Sequence, residues 1–196
     1  SRDIRLDTAT RLHYVQVEEP SLKDPRGEMQ FLFEALEREW GVTGLTLANS
    51  QLHALQAALT RADRGVTVAV YQEQLITGIW PGLFDKPSGI AIDVGSTTVA
   101  AHLCDLNSGE VLASAGVMNP QIRFGEDLMS RVSYVMMHSD GAELLTSAIR
   151  EAINGLFEEL TNETSNQVED ILEIALVANP IMHHIVLGIN PINLGT

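Results

Sequence analysis

Residues 90–103 constrain the fold more than any other part of the chain: an apolar run, one acid, a glycine, three hydroxyl residues and a second apolar run (Ile-Ala-Ile-Asp-Val-Gly-Ser-Thr-Thr-Val-Ala-Ala-His-Leu). The pattern predicts a strand, a tight turn and a second strand. Asp93 interrupts a stretch that looks buried, where an unpaired carboxylate costs several kcal/mol unless a cation or a hydrogen-bond donor meets it. Gly95 permits close backbone approach to a ligand, and Ser96, Thr97 and Thr98 offer hydroxyls and N–H groups. Together these residues suit a phosphate held by backbone donors, with Asp93 orienting water on a Mg²⁺ ion. The alternative is an ordinary hairpin whose aspartate caps its own turn.

With 196 residues, 45% of them apolar, the chain has the length and composition of one large or two small globular domains. A formal charge of −14 without a Lys/Arg cluster argues against a nucleic-acid partner, so a bound nucleotide must be held by N–H groups and a metal. The single cysteine, Cys104, excludes a disulfide framework and an Fe–S cluster made by this chain alone, and fits a reduced cytoplasm. No apolar stretch is long enough for a membrane span, and the N-terminus does not resemble a signal peptide. The chain starts at Ser1 rather than Met, which predicts a piece of something longer.

In the first half, residues 12–17 alternate as a strand does. Asp24 as N-cap and Pro25 in the first turn predict a helix carrying Met29, Leu32, Phe33, Leu36 and Trp40, stopped by Gly41. A second helix is predicted from Asn49, with Leu52, Leu55, Ala58, Leu59 and Ala62 on one stripe and Gly65 at its end. Residues 66–71 and 75–80 predict paired strands. Trp40 and Trp80 read as core or interface anchors, and His53 as a solvated or half-buried helix residue. The boundary falls in residues 81–89, where two prolines and two glycines cluster.

The second half predicts a three-stranded antiparallel meander, its third strand at 110–117. A helix follows Gly125, with Glu126 and Asp127 in its first turn and a core stripe of Leu128, Met129, Val132, Val135 and Met136. A longer helix from near Asp140 has the strongest periodicity in the chain. After a polar linker, residues 171–178 are almost continuously apolar and predict a strand buried on both faces, and Asn179-Pro180 opens a last short helix. His183 and His184 are adjacent and therefore point about 100° apart on a helix, which suits packing or capping rather than a shared metal. Cys104 reads as an inward strand residue.

The order β-β-β-α-α-β-α, with Asp93-Val-Gly-Ser-Thr-Thr98 at its first hairpin, resembles one half of an actin-like ATPase, the fold of acetate and sugar kinases and of actin. Residues 119–131 (Asn-Pro-Gln-Ile-Arg-Phe-Gly-Glu-Asp-Leu-Met-Ser-Arg) and 179–188 (Asn-Pro-Ile-Met-His-His-Ile-Val-Leu-Gly) are more specifically similar to segments of the reductive activators of corrinoid proteins. Residues 20–24 and the α+β stretch after them resemble the linker and middle regions of those activators. The fold class expected is mixed α+β and α/β. Residues 1–18 would be a linker remnant and 19–85 a small α+β middle domain. Residues 87–196 would be the first, ribonuclease H-like subdomain of the ATPase, incomplete.

The resemblance implies an ATP-dependent activator. In this family a [2Fe–2S] domain, here expected N-terminal to the chain, passes one electron to an inactive Co(II) corrinoid protein and restores Co(I) for methyl transfer. Asp93 would hold Mg²⁺ through water, while Gly95, Ser96, Thr97 and Thr98 line the β- and γ-phosphates of ATP. Asn119, Gln121 and Asp127 fall on family-like positions that reach the cleft or the corrinoid partner, though capping accounts equally well for Asn119 and Asp127. Asn179 ends the fourth strand, where such sheets present ligand contacts. Ala178 and Pro180 stand there in place of the family's glycine and threonine, and Pro180 removes a backbone donor.

No second Asp-x-Gly hairpin is present, so the chain alone is expected to bind ATP weakly, to be inactive by itself, and to dimerise through an uncovered apolar surface. The competing readings are a sugar- or acetate-kinase-like phosphotransferase, which lacks a substrate-positioning base here, and a non-catalytic actin-like docking module.

Overall fold

The computed structural model describes residues 7–21, 24, 26–164 and 166–194. They form two compact units that meet in sequence between Pro87 and Ser88. The first unit contains β1 (Thr10–Gln16), α1 (Glu28–Trp40), β2 (Thr46–Leu47), α2 (Leu52–Arg61), β3 (Gly65–Tyr71) and β4 (Leu75–Pro81). Its sheet runs β1-β3-β4-β2, with β3 antiparallel to both neighbours and β2 parallel to β4. Leu32 and Leu36 of α1 and Leu55 and Leu59 of α2 pack with Val66, Val68, Val70 and Ile76 of the sheet into one core. Glu28 and Arg38 lie at the ends of α1 that complement its dipole, and Gly41 closes it in the left-handed conformation at φ +69°.

Two helix boundaries differ from the expectation. Pro25 lies outside the described residues, Gly27 rather than Asp24 occupies the N-cap of α1, and the Asp24 carboxylate pairs with Arg26 instead. Asn49 sits inside a short 3-10 turn and makes no side-chain cap. The chain then reverses before Gly65, through Asp63 and Arg64 at φ +47° and +64°. Left-handed backbone is costly for an arginine, and Arg64 is held there by bonds to the Val17 carbonyl (3.0 Å) and to Glu28 (2.5 Å).

The second unit contains β5 (Ser88–Val94), β6 (Thr98–Asp105), β7 (Val111–Met118), α3 (Leu128–Met137), α4 (Gly141–Glu163), β8 (Ile171–Ala178) and α5 (Pro180–Leu187). This is the βββααβα order expected of the actin-like half, and the sheet runs β7-β6-β5-β8. The first three strands form the antiparallel meander, and β8 returns parallel to β5. Leu145, Ile149, Leu156 and Leu160 of α4 bury completely against Ile90, Ile92, Val99 and Leu103.

The strand β8 is not buried on both faces. It is an edge strand, and Val177 is 66% exposed because nothing among the described residues covers its outward face. The stripe of α3 is also rotated: Met129 and Met136 are exposed, and Arg131 takes the buried place beside Val132 and Val135. No helix among the described residues is long and apolar enough to cross a membrane.

Candidate functional site

The strand alternation of β5 puts Ile92 and Val94 in the core and turns Ala91 and Asp93 outward. Asp93 is therefore exposed, not buried as its apolar surroundings suggested, and its carboxylate makes no bond to any described residue. Its in-register neighbours are Ala100 on β6 and Val177 on β8, with Gly116 of β7 next beyond Ala100. Small residues on one side thus leave room around the carboxylate, and Thr98 shares its face of the sheet two residues along from Ala100.

The turn that follows is closed by the Gly95 N–H donating to the Thr98 carbonyl at 3.0 Å. A Cβ on residue 95 would stand 2.7 Å from that same oxygen, so only glycine allows the close approach. The Gly95 carbonyl accepts from the Asn119 side-chain amide (2.8 Å) and the Ser96 carbonyl from Arg131 Nη2 (2.5 Å). The Thr97 carbonyl accepts from the Asn119 main-chain N–H (2.7 Å). All four successive carbonyls from Gly95 to Thr98 are thus engaged. The Ser96 and Thr97 N–H groups and the hydroxyls of Ser96, Thr97 and Thr98 donate to no described residue. A turn whose acceptors are all satisfied and whose two central N–H donors are open has the polarity of an anion-binding nest.

A buried polar cluster enforces this arrangement. Asn119 caps the 3-10 turn Pro120–Phe124, its Oδ1 accepting from the Gln121 N–H at 2.9 Å. The Gln121 side chain donates to the Leu145 carbonyl of α4 (2.8 Å) and accepts from Arg131 Nη1 (3.3 Å). Arg131 also donates from Nε to the Gly125 carbonyl (3.0 Å) and from Nη1 to Met182 Sδ of α5 (3.4 Å). Asn119, Gln121 and Arg131 are all fully buried.

The remaining candidates are caps. Asp127 caps α3 through the Ser130 N–H (2.7 Å), and that bond, followed by the Ser130 hydroxyl, holds its carboxyl below the usual range. Asn179 caps α5 through the Met182 N–H (3.0 Å), with Pro180 in the first turn. The His184 ring bonds the Pro180 carbonyl at 2.9 Å, and no group of three metal-ligating side chains exists among the described residues. Arg131 carried no assignment from sequence. Its position was a signal nonetheless, since it falls three residues after Leu128 and four before Val135, on the apolar side of α3.

The sequence matches two family descriptions, "RACo linker region" over residues 1–86 and "RACo middle region" over residues 88–196. It is 33% identical over 112 residues to the corrinoid activation enzyme RamQ of Eubacterium limosum, covering 57% of this chain and 19% of that protein. A solved structure titled as a reductive activator for corrinoid, iron–sulfur protein superposes with a TM-score of 0.82 at 32% identity, covering 98% of this chain and 31% of the other. The chain thus spans a minor part of the length of both relatives.

Proposed function

The chain belongs to the RACo family, of which it contains the linker and middle regions, and from that premise we propose that it is part of an ATP-dependent reductive activator that restores Co(I) in a corrinoid protein for methyl transfer. Its own contribution is the first phosphate-binding hairpin. The observation that carries this reading is the polarity of the 95–98 turn, with every carbonyl engaged and the donors of Ser96 and Thr97 open.

In this reading the Ser96 and Thr97 N–H groups, with the hydroxyls of Ser96, Thr97 and Thr98, receive the β- and γ-phosphate oxygens. Asp93, exposed and unbonded, fits a carboxylate that holds Mg²⁺ through its water shell. ATP supplies the difference in binding free energy between two conformers of the activator–corrinoid complex, without which an uphill reduction gains nothing from the nucleotide. One cysteine cannot hold a [2Fe–2S] cluster, so the electron comes from a cluster in another domain of the whole protein. A cytoplasmic setting accords with the single free cysteine, Cys104, and a homodimer with the open face of β8.

Calorimetric titration of the full-length protein with Mg²⁺–ATP tests the reading. Asp93→Ala is expected to weaken binding by about 10-fold or more and to slow the ATP-dependent appearance of the Co(I) absorption of a purified corrinoid protein. Unchanged affinity and unchanged Co(I) accumulation in that variant would overturn it.

A further inference from the structure

We propose that Arg131 is a positioning residue for the phosphate hairpin, and that its guanidinium, bonded only to neutral acceptors, lends its positive charge to the anion held on the other side of the turn. This rests on the reading of residues 93–98 as a phosphate loop.

Arg131 is among the largest fully buried side chains of the protein. Its bonding partners are the Ser96 and Gly125 carbonyls, the Gln121 amide oxygen and the Met182 thioether, with no carboxylate among them. A thioether is a weak acceptor, and a buried cation normally has an acid partner, because the loss of its hydration is otherwise uncompensated. The nearby carboxylate, Asp127, is exposed and committed to Ser130 as the cap of α3. Burial lowers the guanidinium pKa and the charge of Asp127 offsets that only in part. A cation kept on such terms is accounted for by what lies beyond it.

The link is a single peptide plane. The Ser96 carbonyl belongs to the same peptide unit as the Thr97 N–H, and no described peptide bond is cis. In a trans unit the C=O and N–H point in opposite directions, so drawing the Ser96 oxygen inward to Arg131 aims the Thr97 N–H outward. The charge-assisted bond also polarises that unit and strengthens its N–H as a donor. Asn119 does the same one unit earlier, since the Gly95 carbonyl it binds is paired with the Ser96 N–H. Gly125 allows the approach: a Cβ there would lie 2.7 Å from the Arg131 nitrogen of the main chain.

The test uses the full-length protein and three variants, with affinities for Mg²⁺–ATP, Mg²⁺–ADP and adenosine read at a temperature where circular dichroism shows each folded. Arg131→Gln is expected to lose about 30-fold in ATP affinity, less for ADP, and nothing for adenosine. Arg131→Lys keeps the charge without the fork and is expected to recover roughly a third of that loss on a logarithmic scale. Gln121→Glu leaves the arginine in place but sets a carboxylate beside Nη1 and removes the amide donor to the Leu145 carbonyl, and, read where it is folded, is expected to weaken ATP by about 5-fold with adenosine unchanged.

A graded loss that follows phosphate number supports the inference. It is overturned if the folded variants bind ATP as the parent does, or lose adenosine as much as ATP, which is what a merely structural role predicts. If Arg131→Gln does not fold, Gln121→Glu and Arg131→Lys decide by the same criteria. A parent protein whose own affinity is indifferent to phosphate number removes the phosphate-loop reading first, and is recognised before any variant is measured.

Discussion

The side chain of Asn119 donates to the carbonyl of Gly95 across 24 positions of sequence, at 2.8 Å, in a place where Asn119 is wholly shielded from solvent. With its main-chain N–H on the Thr97 carbonyl, one residue at the end of β7 holds the turn on both sides of Ser96. The hairpin is thus a tertiary construction, although its two strands are adjacent in sequence.

Replacing Asn119 by alanine is expected to lower stability by about 2–4 kcal/mol, because the Gly95 carbonyl and the Gln121 N–H lose their partners in a buried place. Asn119→Asp should be worse, with a carboxylate facing a carbonyl oxygen. Urea unfolding checks this through a lower midpoint at unchanged slope.

Gly95→Ala is expected to lower stability by about 1–3 kcal/mol and Mg²⁺–ATP affinity by about 10-fold, since the new Cβ meets the Thr98 carbonyl and the turn must open. Gly116→Ala is the control for stability. The nearest atom to its Cβ is the Val99 carbonyl at 3.6 Å, an ordinary contact, and its melting temperature should not fall.

The turn between β3 and β4 offers a stabilising change. Gln72 and Glu73 both hold positive φ, +48° and +59°, the geometry for which Asn-Gly is preferred. The double change Gln72→Asn/Glu73→Gly is expected to raise stability by about 1 kcal/mol. The Glu73–Arg11 contact it removes is exposed, at 3.4 Å, and worth little. Differential scanning calorimetry would show the first unit melting higher.

His13 predicts a pH dependence. Burial, then the charge of Arg11, pushes its pKa below the ordinary value of 6.5, and its ring packs edge-on to Trp40 at 4.9 Å. The unfolded chain takes up a proton at a pH where the folded chain does not. Stability is therefore full above about pH 7.5 and declines as pH falls through 6.5 towards the depressed native value. His13→Gln should flatten that part of the profile, as followed by urea midpoints between pH 5 and 8.

Much of this was legible from local pattern. The alternation of Ile90, Ile92 and Val94 around Gly95 marks the hairpin, and the spacing of Leu145, Ile149, Ile153, Leu156 and Leu160 marks α4. Patterns of period two or 3.6 report which side of an element is apolar, not whether another element covers it. Hence β8 reads as a strand buried on both faces and is an edge strand with an exposed outer face. The burial of Arg131 was hidden because an arginine in a stripe of methionines and valines reads as the solvated residue, and the exposed Met129 and Met136 took its place. The cap made by Asn119 was open to a local rule, but the other partners of Asn119 and Gln121, the carbonyls of Gly95 and Leu145, are both 24 positions distant, beyond the range of any such rule. The reversal at Asp63 and Arg64 defeats the rule that glycine ends a helix, since Arg64 is kept in place by long-range bonds to Val17 and Glu28.

The four engaged carbonyls of the 95–98 turn also separate two properties that usually travel together. Tied at every oxygen, the turn should relax like a rigid strand, with high amide order parameters. Unbonded at the N–H groups of Ser96 and Thr97, it should exchange hydrogen like a frayed end. A ligand entering such a turn would bring slow exchange to these two amides without any gain in order, and would lose little chain entropy in doing so.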